Sequence, residues 1–412
     1  MDRQLKIDFD KVIKNIKLSK KDIELRQKNL NQFIKTGFPN KRIEDWKFSD
    51  LNQIISSNIK ELKFFNNETK PSKFNESILI NDFDHNKIIF VNGLISKIDF
   101  NFEEKNKIEI VDTCENKDLN LNNSLVSLNN ALNFHYTKLT IKDNYSLKKP
   151  LIIYNITNNK LNSNTINQRI DFILKKNSQL RLINFFNDSS NNNFMNLNYK
   201  FNIGRDAILK NYIIDCRLNS NIKYFFNNIN LEYNSVAENF LFSTGSKFFK
   251  NEINCNLNDK YSSAFINGII NLIKDQHHEI KTNINHFGEN TKSYQLIKNV
   301  LNNNSKAVYQ GKIFVDSKAQ KTDGYQLSKA LLLNENTDFY AKPELEIYAD
   351  DVKCSHGSTS GNLDEDALFY LMSRGLSYKQ SKKLLINGFL LDVVEKITDL
   401  EIKNLIKSIV EN

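Results

Sequence analysis

One pattern recurs in KKNSQLRLI (residues 175–183), GRDAILKNYI (204–213), EYNSVAENFLF (232–242), NDKYSSAFINGI (258–269) and GENTKSYQLI (288–297): a polar turn with a small residue, then an apolar run. The five stretches begin 29, 28, 26 and 30 residues apart. So regular an interval is typical of a β-solenoid, in which each coil buries its inner face on the next. A β-sandwich would show turn signals every ~8–12 residues. The pattern therefore favours a solenoid.

The spacing of apolar residues differs between the middle of the chain and its two ends. Short β-branched and aromatic runs such as LIIYNI (151–156) and KIFV (312–315) continue from about residue 75 to 345, without helical periodicity. Both ends of the chain have apolar residues at helical spacing. The sequence thus predicts a mainly β protein made of three parts. These are an N-terminal helical domain at 1–75, a β-helix core with an irregular first segment at 76–361, and a C-terminal helical domain at 362–412.

Helix-end signals support the two helical regions. Gly37, followed by a proline at position 39, predicts the end of an N-terminal helix. Capping boxes that begin at Ser377 and Thr398 predict the starts of two C-terminal helices. The only tryptophan, Trp46, is predicted to be a packing anchor of the N-terminal domain.

Composition limits the classes of function. The formal charge of +9 is spread over interspersed lysines with no arginine cluster, so we expect no nucleic-acid binding. The chain shows neither a signal-peptide pattern at its start nor a membrane-length apolar run, so we expect a cytoplasmic protein. Four cysteines in 412 residues do not form a disulfide framework, and we expect reduced thiols.

The stretch DVKCSHGSTSGN (351–362) carries the chemistry of interest. If it continues a strand, Cys354 and His356 project from the same face and can reach one metal ion. Two ligands hold a metal poorly, and no second Cys or His pair with metal-ligand spacing occurs in the chain. The pair is therefore a shared metal half-site, a Cys/His nucleophilic dyad, or a half-buried thiol beside a capping imidazole.

Other polar groups give weaker signals. His277 and His278 are adjacent and would face opposite ways on a strand, whereas His286 can share a face with His278. We expect these three to be packing or solvent-facing histidines. No Walker A or Gly-x-Gly-x-x-Gly motif occurs, which excludes a P-loop ATPase.

Residues 307–389 resemble the SufB/SufD family of iron–sulfur cluster assembly scaffolds. The resemblance rests on GKIFVDSKAQKTDGYQ (311–326), KPELEIYADDVKCSHG (342–357) and LFYLMSRGLS (368–377), and more loosely on RIEDWKFSDL (42–51). The SufB branch carries a cysteine near the position of Ser328 and a glutamate after the histidine, where this chain has Gly357. The chain resembles the other branch of the family.

The resemblance implies a right-handed parallel β-helix flanked by helical domains. It implies a non-catalytic scaffold that pairs with SufB through the β-helix ends and binds the ATPase SufC through its C-terminal helices. His356, with Cys354 as its neighbour, would provide a half-site for a nascent cluster at the SufB interface. Leu368, Tyr370, Arg374 and Phe389 fall in the region that would bind SufC.

The resemblance also bears on cofactors. It implies that the chain alone holds no cofactor stably. A transient iron–sulfur cluster would form at the shared interface, and a flavin is compatible with the complex. Two other functions stay open from the residues themselves: a β-helix enzyme acting on polysaccharide, and a free-standing Cys/His metalloprotein.

Overall fold

The computed structural model describes residues 2–16, 18–66, 71–113, 122–158 and 160–411. Its helices are α1 (Asp2–Asn15), α2 (Lys20–Thr36), α3 (Leu51–Asn58), α4 (Ser124–Leu132), α5 (Glu365–Ser373), α6 (Tyr378–Val394) and α7 (Leu400–Glu411). Its strands are β1 (Asn86–Val91), β2 (Leu94–Asp99), β3 (Ile108–Thr113), β4 (Tyr136–Ile141), β5 (Leu151–Thr157), β6 (Thr165–Leu174), β7 (Gln179–Asp188), β8 (Phe194–Ile203), β9 (Ile208–Asp215), β10 (Ile222–Leu231), β11 (Val236–Ser243), β12 (Phe248–Leu257), β13 (Ser263–Leu272), β14 (His277–His286), β15 (Lys292–Leu301), β16 (Lys306–Val315), β17 (Thr322–Leu332), β18 (Asp338–Ile347) and β19 (Val352–Gly361). Cys114 lies outside the described residues.

The strands form a two-sheet parallel solenoid of about 8 turns, which confirms the predicted β-solenoid class. The first sheet has ten strands in the order β19-β17-β15-β13-β11-β9-β7-β5-β1-β2. The second has nine, in the order β18-β16-β14-β12-β10-β8-β6-β4-β3. Each coil adds one strand to each sheet, so strands two apart in sequence pair in parallel. Equal coil lengths explain the regular interval between the repeated stretches.

The turns of the repeated stretches use residues other than glycine for their left-handed positions, although the chain has 12 glycines. One residue in each turn of the repeated stretches adopts a positive φ, as at Asn177 (52°), Asn234 (52°) and Asn290 (56°). Asparagine tolerates this left-handed conformation better than most residues with a side chain. Between the sheets the coils stack their apolar side chains, as Phe172 and Phe201 do at a ring distance of 4.8 Å. Asparagine supplies three of these five turns, and Asp206 and Tyr261 supply the other two, while apolar ladders supply the core.

The two ends of the solenoid differ. At the N-terminal end, β2 and β3 are only six residues long, pair antiparallel with their neighbours and carry several charged residues. Short, charged or bulged edge strands resist pairing with other chains. At the C-terminal end, β18 and β19 are ten residues long and neither contains a buried residue; β19 is largely exposed. The C-terminal end is thus the open end of the solenoid.

The N-terminal helices pack on the outer face of the second sheet rather than forming a separate core. Residues of α1, α2 and α3 share one apolar cluster with outward-facing side chains such as Phe194, Ile222 and Phe248. The helix α4 lies in the irregular first segment of the predicted β region, where the sequence showed no helical periodicity. All residues of α4 from Leu125 to Leu132 are buried between α2 and the sheet. A helix buried on all sides lacks the amphipathic spacing by which helices are predicted.

Trp46 is buried, and the packing role predicted for it is confirmed, with the solenoid as its partner. Its ring lies 5.8 Å from that of Tyr224 and 4.4 Å from the Lys250 ammonium. The Lys250 amine also donates to the Asp45 carbonyl at 2.8 Å and pairs with the buried Glu279 carboxylate. These contacts fix the segment around Trp46 to the outer face of the second sheet.

The helices α6 and α7 cover the outer face of the first sheet. Their apolar residues, including Val393, Ile402 and Ile406, share a cluster with Tyr154 and Ile183 of the sheet. The capping box predicted at Ser377 is confirmed. In the described part of the chain, no helix combines the length and the apolar character needed to cross a membrane.

The capping box predicted at Thr398 is wrong. The Asp399 side chain accepts the backbone N–H of Ile402 instead, at 3.1 Å. Asp399 also pairs with Arg181 on β7 at 2.9 Å, while the Thr398 hydroxyl accepts from Lys210. The sheet therefore holds both residues and places the first turn of α7 one residue later than the sequence pattern indicated.

Candidate half-site at the open end of the solenoid

The strand β19 has an unprotected edge. Within the described residues, neither β18 nor β19 pairs with a further strand on its outer side. The edge strand β18 contains Pro343, which cannot donate a backbone hydrogen bond, whereas β19 contains no proline and Lys353 as its only Lys, Arg, Asp or Glu residue. Edge strands of isolated proteins usually carry several such protective features. The edge of β19 thus has the character of one that another strand can join.

Cys354 and His356 both project from the inner face of β19, as the sequence predicted. In the parallel register, Cys354 pairs with Gly324 and His356 pairs with Gln326 on β17. Gly324 and Gln326 are buried between the sheets, and neighbours in register share a face. Because no further coil covers them, His356 is exposed and Cys354 is half-buried. The imidazole is therefore accessible through the open end.

The thiol of Cys354 is set more deeply than the imidazole. It contacts a small apolar cluster that contains Ile313 and Val315 of β16. A Cβ on Gly324 would lie 3.4 Å from the sulfur, at ordinary van der Waals contact, so the thiol packs directly against this position of β17. Burial raises the pKa of the Cys354 thiol above its usual value. A protonated, partly buried thiol is a poor nucleophile and a poor metal ligand, which argues against the Cys/His dyad.

The half-site does not gather further ligands from its own chain. Among residues 2–16, 18–66, 71–113, 122–158 and 160–411, no three His, Cys, Asp or Glu side chains converge in a way that could hold a metal ion. Cys216 and Cys255 are free thiols elsewhere in the solenoid. The described part of the chain thus offers one accessible imidazole and one recessed thiol at the open end.

The three histidines of β14 are far from His356 in the coil order and make local contacts. The ring of His278 hydrogen-bonds to the Ser243 hydroxyl at 2.8 Å and the Ser246 carbonyl at 2.7 Å. The ring of His286 lies 2.7 Å from the Thr291 hydroxyl. His277 lies 2.8 Å from the Glu279 carboxylate on the outer face. Their predicted packing role is confirmed for His278 and His286, which are buried.

Buried histidines make the stability of the fold sensitive to acid. Burial lowers the pKa of both His278 and His286 to about 4, against a usual value near 6.5. Between these pH values the unfolded chain binds protons that the folded chain does not, so stability falls as the pH falls from 6.5 towards 4. We expect each histidine to remove about 1.4 kcal/mol per pH unit from the free energy of unfolding in this window. Urea denaturation at pH 7.5 and pH 5 measures the loss.

The variant His286→Gln tests the assignment of this acid sensitivity. It should lose stability at pH 7.5, because two hydroxyl partners lose their imidazole, yet its stability should fall less between pH 7.5 and pH 5 than that of the wild type. An unchanged pH dependence would show that His286 is not one of the responsible groups.

The four residues predicted to bind SufC differ in exposure. Tyr370 is 56% exposed, and the Arg374 guanidinium lies 5.2 Å from its ring. Leu368 is buried, and Phe389 is partly buried against the first sheet, with its carbonyl accepting from Lys298 at 2.8 Å. Tyr370 and Arg374 are thus available to a partner, while Leu368 and Phe389 contact their own chain.

Several exposed apolar residues lie on α5 and at the start of α6, and of these the sequence singled out only Tyr370. Phe369 is 73% exposed, and Met372 and Tyr378 lie nearby in sequence and are exposed as well. Large apolar side chains that cluster on a surface mark contact sites for other molecules. We call Phe369, Tyr370, Met372 and Tyr378 the α5 surface. The signal in the sequence was the apolar excess of LFYLM, which is too continuous for a helix that buries one side.

The fold and the site define a parallel β-solenoid protein with helices on both outer faces and one open end. The family model for "SUF system FeS cluster assembly, SufBD core domain" matches residues 154–389. Because this match covers more than half of the chain, the chain belongs to the SufB/SufD family of iron–sulfur cluster assembly proteins.

Within the family, the chain resembles relatives named SufD. It is 26% identical to "Iron-sulfur cluster assembly protein SufD" of Escherichia coli over 381 residues, which cover 90% of this chain and 88% of the relative. It is 32% identical to the Bacillus subtilis protein of the same name over 137 residues, 33% of this chain and 31% of the relative. A Plasmodium falciparum SufD is 31% identical over 111 residues, 27% of this chain and 8% of that protein.

Proposed function

We propose that this chain is a non-catalytic scaffold subunit of a cytoplasmic iron–sulfur cluster assembly complex. Its open end pairs with a SufB subunit, and its C-terminal helices bind the ATPase SufC. A nascent cluster, which is cargo and not a resident cofactor, forms where His356 meets groups of SufB. A flavin in the complex stays a prediction.

One observation carries this proposal: an exposed imidazole on the inner face of an unprotected edge strand. His356 alone cannot hold a metal, since stable sites for iron or zinc usually have four protein ligands. A second solenoid that joins the edge of β19 would bring its own ligands next to His356. It would also satisfy the free backbone groups of the edge, as in β-strand addition. One contact then completes both the sheet and the ligand set.

The variant His356→Ala tests the cluster role. We expect the complex reconstituted with SufB and SufC to assemble, because His356 is exposed and its loss leaves no cavity in the core. Cluster formation should fall about tenfold or more, since even the loss of an outer-shell contact costs ~10–100-fold. The measurement is the rate of cluster formation from iron and sulfide, followed by absorbance under anaerobic conditions.

A matched control is Ser358→Ala, which changes an exposed residue two positions along the same face of β19. It should form clusters at the wild-type rate. Wild-type cluster formation by His356→Ala would remove the proposed role of the imidazole. If the purified chain alone held stoichiometric metal, the shared half-site would be replaced by the free-standing metalloprotein.

The α5 surface is the proposed site for SufC. It is apolar, aromatic and next to an arginine, a composition typical of the residues that dominate protein interfaces. We expect Phe369→Ser to weaken SufC binding by about tenfold or more, with little change in stability, because the ring is largely exposed. Titration of SufC against the immobilised chain measures the affinity.

The variant Leu400→Ser is the control for this surface. Leu400 is an equally exposed leucine, 70% accessible, at the start of α7 and outside the α5 surface. Its variant should bind SufC as the wild type does. Equal losses in the two variants would point to a general effect of removing surface apolar groups and would contradict the assignment of SufC to α5.

A physical path joins the two proposed sites. The Lys298 ammonium on β15 pairs with Asp392 of α6 at 2.8 Å and lies 4.6 Å from the ring of Phe389. The strand β15 is separated from β19 by β17 alone. If the C-terminal helices move during ATP hydrolysis by SufC, the movement would pass from β15 to β17 and from β17 to β19 at the open end. This coupling rests on the docking of SufC proposed above.

A further inference from the structure

A groove of about 580 Å³ lies on the outer face of the first sheet, next to the connection between α6 and α7. Its volume is within the range of sites for small organic molecules, which is ~300–1,000 Å³. Strands β11, β13, β15 and β17 form the floor, and Lys396 and Thr398 of the connection form one wall. None of the residues assigned above to cluster assembly or to SufC binding lines it. The groove is therefore a separate feature of the surface.

Three aromatic side chains in register form the centre of the floor. Phe265, Tyr294 and Tyr325 occupy matching positions on β13, β15 and β17. The rings of Phe265 and Tyr294 are parallel within 7°, and their centroids are 6.0 Å apart. Tyr294 and Tyr325 are each 36% exposed, and the Tyr294 hydroxyl donates to Asp323 at 2.5 Å. Such a row of uncovered rings offers stacking or edge-to-face contacts to another flat ring.

The walls of the groove are held in place by contacts within the chain. The Lys210 ammonium on β9 lies 3.7 Å from the Glu238 carboxylate and donates to the Thr398 hydroxyl. The next residue, Asp399, pairs with Arg181 at 2.9 Å. Glu238 thus already has a cation beside it, and the connection between α6 and α7 is fixed to the sheet. A groove that is already formed binds a ligand at a smaller entropic cost than one that must be ordered on binding.

Three lysines surround the aromatic row. Lys396 lines the groove, and Lys292 and Lys353 are exposed on β15 and β19, in register with Asp323 on the strand between them. Within the described part of the chain, none of these three lysines makes an ion pair. The carboxylate of Asp323 is the one acid that faces them, since Glu238 is paired with Lys210. The electrostatic potential beside the rings therefore favours an anion.

We propose that this groove binds a flat aromatic molecule that carries an anionic group. The ring of the ligand packs on Phe265, Tyr294 and Tyr325, and its anion pairs with Lys396 at the wall. An aliphatic molecule would gain less from the aromatic floor, and a cation would be repelled by the lysines. The site lies apart from His356, so the chain binds such a ligand without a partner subunit.

The test is a titration of the full-length chain with naphthalene-2-sulfonate, whose two fused rings carry one negative charge, followed by ligand-observed NMR. We expect saturable binding with a Kd of ~0.1–1 mM, as is usual for a ligand of this size. Two matched probes separate the contributions of ring and charge. Decahydronaphthalene-2-sulfonate lacks the flat rings, and 2-naphthalenemethanol lacks the charge. Each should bind about threefold or more weakly than naphthalene-2-sulfonate.

Variants of the chain assign the binding to the groove. Tyr325→Ala and Lys396→Gln should each weaken binding of naphthalene-2-sulfonate about threefold or more, with little change in stability because both side chains are exposed. If Tyr325→Ala does not fold, Tyr325→Leu keeps an apolar side chain and removes the ring. The controls are Tyr348→Ala and Lys274→Gln, which change exposed residues outside the groove and should bind the probe as the wild type does.

Three results would overturn the proposal. The first is a wild-type chain that shows no saturable binding at probe concentrations well above the expected Kd. The second is equal affinity for naphthalene-2-sulfonate and its hydrogenated analogue. The third is a loss of affinity in the control variants as large as that in the groove variants, which would indicate general adsorption to exposed rings and lysines. These titrations involve neither SufB, SufC nor iron, so their outcome is independent of the proposed function.

Discussion

Replacement of Lys223 by methionine is expected to lower the free energy of unfolding by about 3–5 kcal/mol, the usual cost of removing one partner from a buried ion pair. The Lys223 ammonium is fully buried between the carboxylates of Asp188 and Asp215, 2.9 Å from an oxygen of Asp215. Methionine fills a similar volume but carries no charge. Two carboxylates would then remain in the interior without their cation.

The surroundings of Lys223 show how strongly the triad is fixed. The Thr157 hydroxyl donates to Asp188 at 3.0 Å, and the Ser246 hydroxyl donates to Asp215 at 2.7 Å. Burial opposes the positive charge, but the two carboxylates outweigh it and raise the pKa of Lys223. Asp188 ends β7, Asp215 ends β9, and Lys223 is the second residue of β10, so the triad joins successive coils.

Urea denaturation followed by circular dichroism measures the loss. The triple variant Lys223→Met, Asp188→Asn, Asp215→Asn should recover part of it, because no net charge remains buried. Lys274→Met, at an exposed turn, is the control and should change stability by less than ~0.5 kcal/mol. A Lys223→Met protein within about 1 kcal/mol of the wild type would mean that the carboxylates find protons or other partners at no cost.

Removal of residues 362–412 is expected to make the remaining chain aggregate. From the sequence alone, this region is expected to be separable from a β region that stays folded. In the structure, α6 and α7 cover outward-facing residues such as Tyr154, Ile183 and Ile214 of the first sheet. Each such side chain contributes about 1.5–3 kcal/mol when fully buried. Losing several of these contributions is comparable with the ~5–15 kcal/mol by which most domains are stable.

Size-exclusion chromatography and dye binding to exposed apolar surface test this expectation. Point variants give a graded form of the same test. Ile402→Ala and Ile406→Ala each remove a fully buried side chain and should cost about 2–5 kcal/mol. Leu400→Ala, on the same helix but exposed, should be nearly neutral. A truncated chain that is monomeric and binds no dye would show that the sheet does not need its cover.

The sequence predicted the parts of the fold that depend on repetition. Coils of nearly equal length return a turn residue such as Asn234 or Asn290 to the same place in each coil, and this is visible as an interval. It could not predict the triad of Lys223, since its members meet only through the register of three strands. It also missed α4, because uniform burial leaves no periodic signal. Capping at Ser377 was predictable because the signal is local, whereas the start of α7 depended on Arg181, far away in sequence.

For the candidate site, the sequence predicted which side chains share a face. It did not predict which residues of other strands surround them. Strand periodicity alone places Cys354 and His356 together. That β19 is the last strand, and that its neighbour presents Gln326, follows from the stacking of coils and from no local pattern. The thiol of Cys354 is partly buried against Gly324 and Ile313, which lie on two other strands.

The inequality of the solenoid's two ends limits how large an assembly can become. A stack of coils with adhesive edges at both ends could add subunits without limit and grow into a filament. Here the short, charged strands β2 and β3 make one end a poor template, and among the described edge strands β19 has the fewest features that oppose addition. Two solenoids joined at their open ends leave no further growing end. If the open end pairs as proposed, geometry would limit the pair to two solenoids, without any separate device to count subunits.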